Sequence, residues 1–303
     1  MTNIAREIKD YAHKIGMDLC GIAPITRFEN APQGTNPRDF LPGCKSVIAV
    51  GVRLTDGAVP AIFRNFEDGN VRAQGVYGTF GYTIAPNFHL LYSVYAISQF
   101  IERSTGAVAM PVQTGPLQTG MSISLRHAAV AAGLGEFGWL SIVLTPQFGP
   151  RNRFGAILTT AELEPDPMYQ GSHLCDPSTC NICTTVCPTR ALSPFGEKPA
   201  RRVIFKDQAG DRAFDYCHVT MTRCQIATQA LMKKVGGEKD LVTSLDASPQ
   251  EITDAIQTRK IMDGLQQSPS YKCGKCLAYC PAGNWKQKFK DTELSHMLPM
   301  VKW

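Results

Sequence analysis

The chain has 303 residues, of which 44% are hydrophobic and 19% charged, and 31 Lys+Arg against 26 Asp+Glu give a net charge of +5. That composition excludes a disordered or low-complexity chain, and so small a positive charge does not argue for nucleic acid, which is an unlikely partner on this ground. No uncharged apolar run approaches the ~18–20 residues of a membrane span. The N-terminal MTNIAREIKDYAHKIG has neither an apolar stretch nor a twin arginine, so a cytoplasmic protein without a membrane partner is expected.

Taken in chain order, Ile4, Ile8, Tyr11, Ala12 and Ile15 recur at helical spacing over residues 2–15. Asp18–Ile22 reads as a short strand, and Ser46–Leu54, apolar and β-branched throughout, as a buried one. Residues 56–86 carry Gly, Pro and aromatics without a clear period and read mostly as loop. Leu90, Leu91, Val94, Ile97 and Ile101 line one face of a helix over Asn87–Arg103, with Gly106 just beyond its end. Val108–Pro111 reads as a strand, Ser124–Ala132 as an Ala-rich helix, and Trp139–Thr145 and Phe154–Thr160 as two strands joined by PQFGPRNR. Past residue 165 the composition turns to Pro, Cys and polar residues. Helices are expected again over Phe214–Lys234 and Gln250–Gln266. The expected organisation is α+β, with an α/β domain over 1–165 and a cysteine-rich domain over 166–303.

There are 11 cysteines, and all but Cys20 and Cys44 lie between Cys175 and Cys280. Clusters of this kind are metal ligands more often than disulfides where thiols stay reduced. One motif is Cys175-x4-Cys180-x2-Cys183-x3-Cys187-Pro188, the other Cys273-x2-Cys276-x3-Cys280-Pro281. A closely spaced trio of cysteines wraps one corner of an iron–sulfur cubane, while the cysteine before proline reaches across to the other cluster of a two-cluster ferredoxin. Two 4Fe–4S clusters are therefore expected. Cys175, Cys180, Cys183 and Cys280 complete one set, and Cys187, Cys273 and Cys276 leave the other one thiolate short. Cys217 and Cys224 both fall on the helix expected over Phe214–Lys234. Cys217 is favoured as the missing ligand, because a helix start stabilises a thiolate. A plant-type 2Fe–2S loop or a four-cysteine zinc site would leave the second motif or five cysteines without a use. Gly133-Leu-Gly135-Glu-Phe-Gly138 matches a dinucleotide fingerprint in letters only. It follows a helix and precedes a strand, so it is expected to end the helix and turn the chain.

The stretch from Ala132 to Pro188 carries an AGLGE turn, TPQFGPR, PDPMYQG and the first cysteine motif, in that order. It resembles the core of cobalamin-dependent reductive dehalogenases and, less closely, of epoxyqueuosine reductases. The early DLCGIAP and LPGCKSVIAVG resemble the start of epoxyqueuosine reductases. The resemblance implies a nitroreductase-like α/β domain that holds a corrinoid, followed by a two-cluster ferredoxin-like domain. It implies that Gly133, Gly135 and Gly149 let the backbone approach the corrin edge, and that Thr145, Arg151 and Thr159 meet its amide arms. It further implies a tyrosine proton donor, for which Tyr92 and Tyr95 are the candidates, assisted by Arg153. Arg126, Arg151 and Arg153 could orient an anionic group.

Two departures stand out. The dehalogenase T-D-L-P-L segment reads Thr159-Thr160-Ala161-Glu162-Leu163, and the catalytic aspartate of epoxyqueuosine reductases would fall near Thr119, where there is no acid. The expected function is a corrinoid-dependent reductase cleaving a carbon–halogen or carbon–oxygen bond of a small molecule. Its electrons would come from an external donor such as a ferredoxin or flavodoxin. An epoxyqueuosine reductase-like enzyme acting on tRNA and a corrinoid-free electron-transfer protein are the rival readings.

Overall fold

The computed structural model describes residues 3–62, 75–82, 84–113, 123–237, 239–262 and 273–283. Thr119 lies outside them. At its centre is a four-stranded antiparallel sheet in the order β1-β2-β6-β3, formed by β1 (Leu19–Pro24), β2 (Ser46–Arg53), β3 (Ala109–Gln113) and β6 (Asn152–Thr159). Successive side chains of a strand face opposite ways, and in β2 both faces are apolar. Ile48, Val50 and Val52 pack with Ile8, Ala12, Leu90, Val94, Ile97 and Ile101 from helices α1 (Asn3–Lys14) and α2 (Ile84–Thr105). Val47 and Ala49 pack with Ala128, Ala129 and Ala131 of helix α3 (Leu125–Ala131) on the other face. This two-sided burial is why the strand reads as one continuous apolar run.

Three expectations need correction. Trp139–Thr145 is mostly turn; its only ladder is a pair of two-residue strands, β4 (Glu136–Phe137) and β5 (Val143–Leu144). Gly135 sits so close to the Leu144 carbonyl that a Cβ would fall 1.9 Å from it, which leaves no room for a longer ladder of ordinary residues. Residues 75–82 are not loop: Tyr77–Tyr82 forms a π-helical turn ahead of α2. Finally, Phe214–Lys234 is not one helix. Its start is strand β8 (Arg212–Tyr216), paired with β7 (Arg201–Phe205), and its α-helical part is only Met221–Thr228, here α5, after the short helix α4 (Ile182–Thr185), with a 3-10 turn at Lys233–Val235. In β7 and β8, Phe205, Phe214 and Tyr216 face the core, and burial of that aromatic row decides for strand over helix. The helix expected from Gln250 spans Pro249–Met262, here α6.

The hairpin closes on His127, whose ring lies 5.0 Å from Phe137, 6.1 Å from Phe205 and 6.4 Å from Tyr216. Burial first, and Arg126 second, lower its pKa from 6.5 to about 4. The unfolded chain therefore takes a proton near pH 6.5 that the folded ring refuses. The stability this creates is complete above pH 6.5 and is lost as the pH falls toward 4. Thermal melts across that range should show the loss, and His127→Phe should flatten it; an unchanged pH profile in the variant rejects the assignment.

Candidate iron–sulfur site

The motifs after the sheet form a seat for the cysteines. Gly133, at φ +78°, ends the turn after α3, and a Cβ there would fall 2.2 Å from the Pro167 carbonyl oxygen. Glu136 is buried and accepts from the Leu174 backbone N–H, one residue before Cys175. Trp139 donates its backbone N–H to Cys175 Sγ at 3.3 Å and its indole N–H to the Ser193 carbonyl at 2.9 Å. Ala191 N–H donates to Cys187 Sγ at 3.2 Å. Backbone donors on sulfur favour thiolate and help set the properties of a cluster.

The TPQFGPR segment seats the second motif in the same way. Gly149 has φ +56°, and a Cβ would fall 2.2 Å from the Ala282 carbonyl oxygen; Gly283 presses against the Gly149 backbone nitrogen from the other side. Arg151 is 3% exposed, and its guanidinium donates to the carbonyls of Cys280 at 2.9 Å, Leu277 at 3.5 Å and Ala282. Burial lowers its pKa to about 10, so it stays charged at neutral pH.

All cysteines are free of disulfides. Their mutual influences fall into two groups that meet at Cys183 and Cys276. Beyond burial, Cys183 feels Cys280 and Cys175 before Cys217 and Cys180, and Cys280 feels Cys175 and Cys180. Cys276 feels Cys273, Cys224, Cys183 and Cys187, and Cys273 feels Cys187 and Cys224. Cys217 follows strand β8, is fully buried, donates its N–H to the Trp139 carbonyl at 3.0 Å, and packs beside Cys183 and Cys280. Cys224 lies on α5. The two cysteines therefore do not share a helix face, and Cys217 is not at a helix start, which removes the ground on which it was favoured. Among the described residues no three His, Cys, Asp or Glu side chains converge on a single metal ion.

Burial raises Cys273 and Cys280 to about 11 and pushes Cys276 well above the ordinary thiol value. Without iron these thiols keep their protons at neutral pH. Positive iron is what lets several thiolates share a dry pocket, with release of the protons. The donor set thus fits an iron–sulfur centre.

The residues assigned to a corrinoid are placed otherwise. Gly133, Gly135 and Gly149 make room for the chain's own carbonyls, and Arg151 holds the second motif. Thr145 is fully buried and accepts from Phe148 N–H at 3.2 Å. Thr159, also fully buried, donates to the Val108 carbonyl at 2.9 Å. None of them faces open space. Tyr92 and Tyr95 are 69% and 57% exposed on the outer face of α2, away from the cysteines. Arg153 donates to the Tyr82 carbonyl at 2.8 Å and stacks over the Tyr82 ring at 4.7 Å. Arg126 donates to Ser141, its oxygen Oγ at 2.6 Å. The tyrosines brought to the cysteine motifs are Tyr77 and Tyr82, which pack with Ile182, Leu277, Ala278 and Tyr279. Sequence reasoning missed them because their segment has no regular apolar period. The one signal was the pair of glycines, Gly78 and Gly81, set among the aromatics of YGTFGY.

No protein-family model matches the chain. Over 206 residues, 65% of this chain, it is 30% identical to an epoxyqueuosine reductase of Gloeobacter violaceus, of which it covers 57%. Over 101 residues, 33% of this chain, it is 38% identical to a tetrachloroethene reductive dehalogenase of Dehalobacter restrictus, of which it covers 17%. The solved epoxyqueuosine reductase of Streptococcus thermophilus superposes with a TM-score of 0.56 at 18% identity, covering 93% of this chain and 67% of that one. An epoxyqueuosine reductase solved with a tRNA-Tyr stem loop superposes with a TM-score of 0.51 at 16% identity, covering 91% of this chain and 70% of that one. The chain is a homologue of both kinds of oxidoreductase, as its ordered motifs implied, and spans just over half the length of the first relative. Among the described residues no helix is long and apolar enough to cross a membrane.

Proposed function

We propose that this homologue of epoxyqueuosine reductases and reductive dehalogenases is a two-cluster iron–sulfur reductase. Residues 1–165 form the seat, and residues 166–303 carry the clusters. Cys175, Cys180, Cys183 and Cys280 hold one 4Fe–4S cluster; Cys187, Cys224, Cys273 and Cys276 hold the other. The observation that carries this reading is the interleaving of the two motifs. The cysteine before each proline, Cys187 or Cys280, acts on the thiols of the opposite motif, as two-cluster ferredoxins require. Electrons from an external donor such as a ferredoxin or flavodoxin enter one cluster and leave by the other.

Similarity to epoxyqueuosine reductases covers 65% of the chain and that to dehalogenases 33%. Reductive cleavage of a carbon–oxygen bond in a modified nucleoside therefore takes precedence over dehalogenation. The tRNA stem loop held by one structural neighbour makes nucleic acid a candidate partner, against the expectation drawn from net charge. The resemblance brings a corrinoid acceptor with it. The residues it assigns to that role are used inside the fold, however, so no step is routed through cobalt.

Anaerobically reconstituted protein should contain about 8 iron atoms per chain, from two cubanes, with a yield that rises with pH because assembly releases thiol protons. About 4 iron atoms, or stoichiometric zinc, rejects the reading. Hydroxocobalamin titration and turnover of an epoxyqueuosine-bearing tRNA stem loop, set against a haloarene, then separate the activities. Full iron with no corrinoid binding and no turnover leaves an electron-transfer protein.

A further inference from the structure

The second cysteine motif and the turn before α2 meet at one buried point. Tyr77 is fully buried, and its hydroxyl has no hydrogen-bond partner among the described residues. Its ring is wedged between two glycines. A Cβ on Gly81 would fall 2.8 Å from ring carbon Cδ2, and a Cβ on Gly274 would fall 1.6 Å from the hydroxyl oxygen. Gly274 is the residue after Cys273 and two before Cys276. Cys273 and Cys276 are among the groups whose charge Tyr77 feels, after Arg153 and Tyr82. Burial pushes its phenol well above the ordinary value, so the hydroxyl stays protonated and remains a donor. Arg153 fixes the turn that carries it, by its hydrogen bond and stacking on Tyr82.

A buried hydroxyl that bonds to nothing is costly, and buried donors are almost always paired. Resting on the reading that Cys187, Cys224, Cys273 and Cys276 hold a cluster, we infer that the Tyr77 hydroxyl donates a hydrogen bond to a sulfur of that cluster and raises its reduction potential. The reduced cluster carries one more negative charge than the oxidised one, so a fixed donor stabilises it more. Tyr77 is thus a positioning and tuning residue, and Arg153 acts through it.

The test is an anaerobic redox titration followed by electron paramagnetic resonance, with iron counted in every sample. In Tyr77→Phe the iron content should stay at about 8 per chain. The potential of one cluster should fall, with a roughly tenfold change in its reduction equilibrium, or about 59 mV for one electron; the other should not move. Full iron with both potentials unchanged overturns the inference and leaves the two-cluster reading standing. About 4 iron atoms in the parent protein overturns the two-cluster reading, and this inference with it. If the Phe variant loses the cluster, 3-fluorotyrosine at position 77 decides the matter. Its more acidic hydroxyl is a stronger donor, so the potential should rise; no shift overturns the inference.

Discussion

Cys224→Ser is expected to lose one of the two clusters, about 4 of about 8 iron atoms per chain, whereas Cys217→Ser keeps both. Cys224 is the thiol outside the motifs that acts on both Cys273 and Cys276, and it does so from α5, immediately after the β7–β8 hairpin. Cys217 is pinned earlier, by its N–H to the Trp139 carbonyl, where it packs with Trp139, Leu140 and Leu192 and beside Cys183 and Cys280. Burial raises its thiol to about 12 in the metal-free protein, as it raises those of the motif cysteines, so its placement after β8 and away from α5 is what sets it apart. Serine there should cost stability through a buried hydroxyl but leave the iron in place. Iron and sulfide analysis of the two variants, side by side, reads the difference directly. Loss of iron from Cys217→Ser with retention in Cys224→Ser reverses the assignment, and two intact clusters in both variants refutes it.

Arg151→Ala should do more damage, because it undermines both clusters at once. Its guanidinium holds the turn Leu277–Ala282 through three carbonyls, and that turn carries the end of the second motif. In the proposed assignment Cys280, whose carbonyl it binds, completes the first cluster, while Cys276, one turn earlier, belongs to the second. Hydrogen bonds from a charged donor are worth on the order of 1.5–3 kcal/mol each, so losing the two shorter ones should cost roughly 3–6 kcal/mol. The three carbonyls left behind are largely closed to water. Arg151→Lys keeps the charge but not the fork, and should fall in between. Thermal melting and iron content of the holoprotein check this. A variant with full iron and an unchanged melting temperature would show that the contacts are incidental.

Much of the molecule was legible from residue types alone. The β2 run SVIAVGV is apolar at every position except Ser46 and Gly51, as a strand buried on both faces requires. The cysteine spacings stated the cofactor chemistry, since ligands within one loop are set by local chain geometry. The end of α3 at Gly133 was equally local, a matter of one left-handed residue. What sequence left undecided turned on contacts far apart in the chain. The segment RAFDY is aromatic and polar in alternation, compatible with helix or strand by itself. Pairing with RRVIF and burial of Phe214 and Tyr216 on the core made it strand, and that removed the helix start on which Cys217 was favoured over Cys224. Gly149 and Arg151 looked like a cradle for a foreign cofactor because their partners, Cys280 and Ala282, lie 129 and 131 residues from Arg151. Tyr77 carried no signal of its own. Its place beside Gly274 exists only because the folded sheet brings the turn before α2 against the last cysteine motif, and no local pattern records a contact whose two sides are closed by the whole core between them.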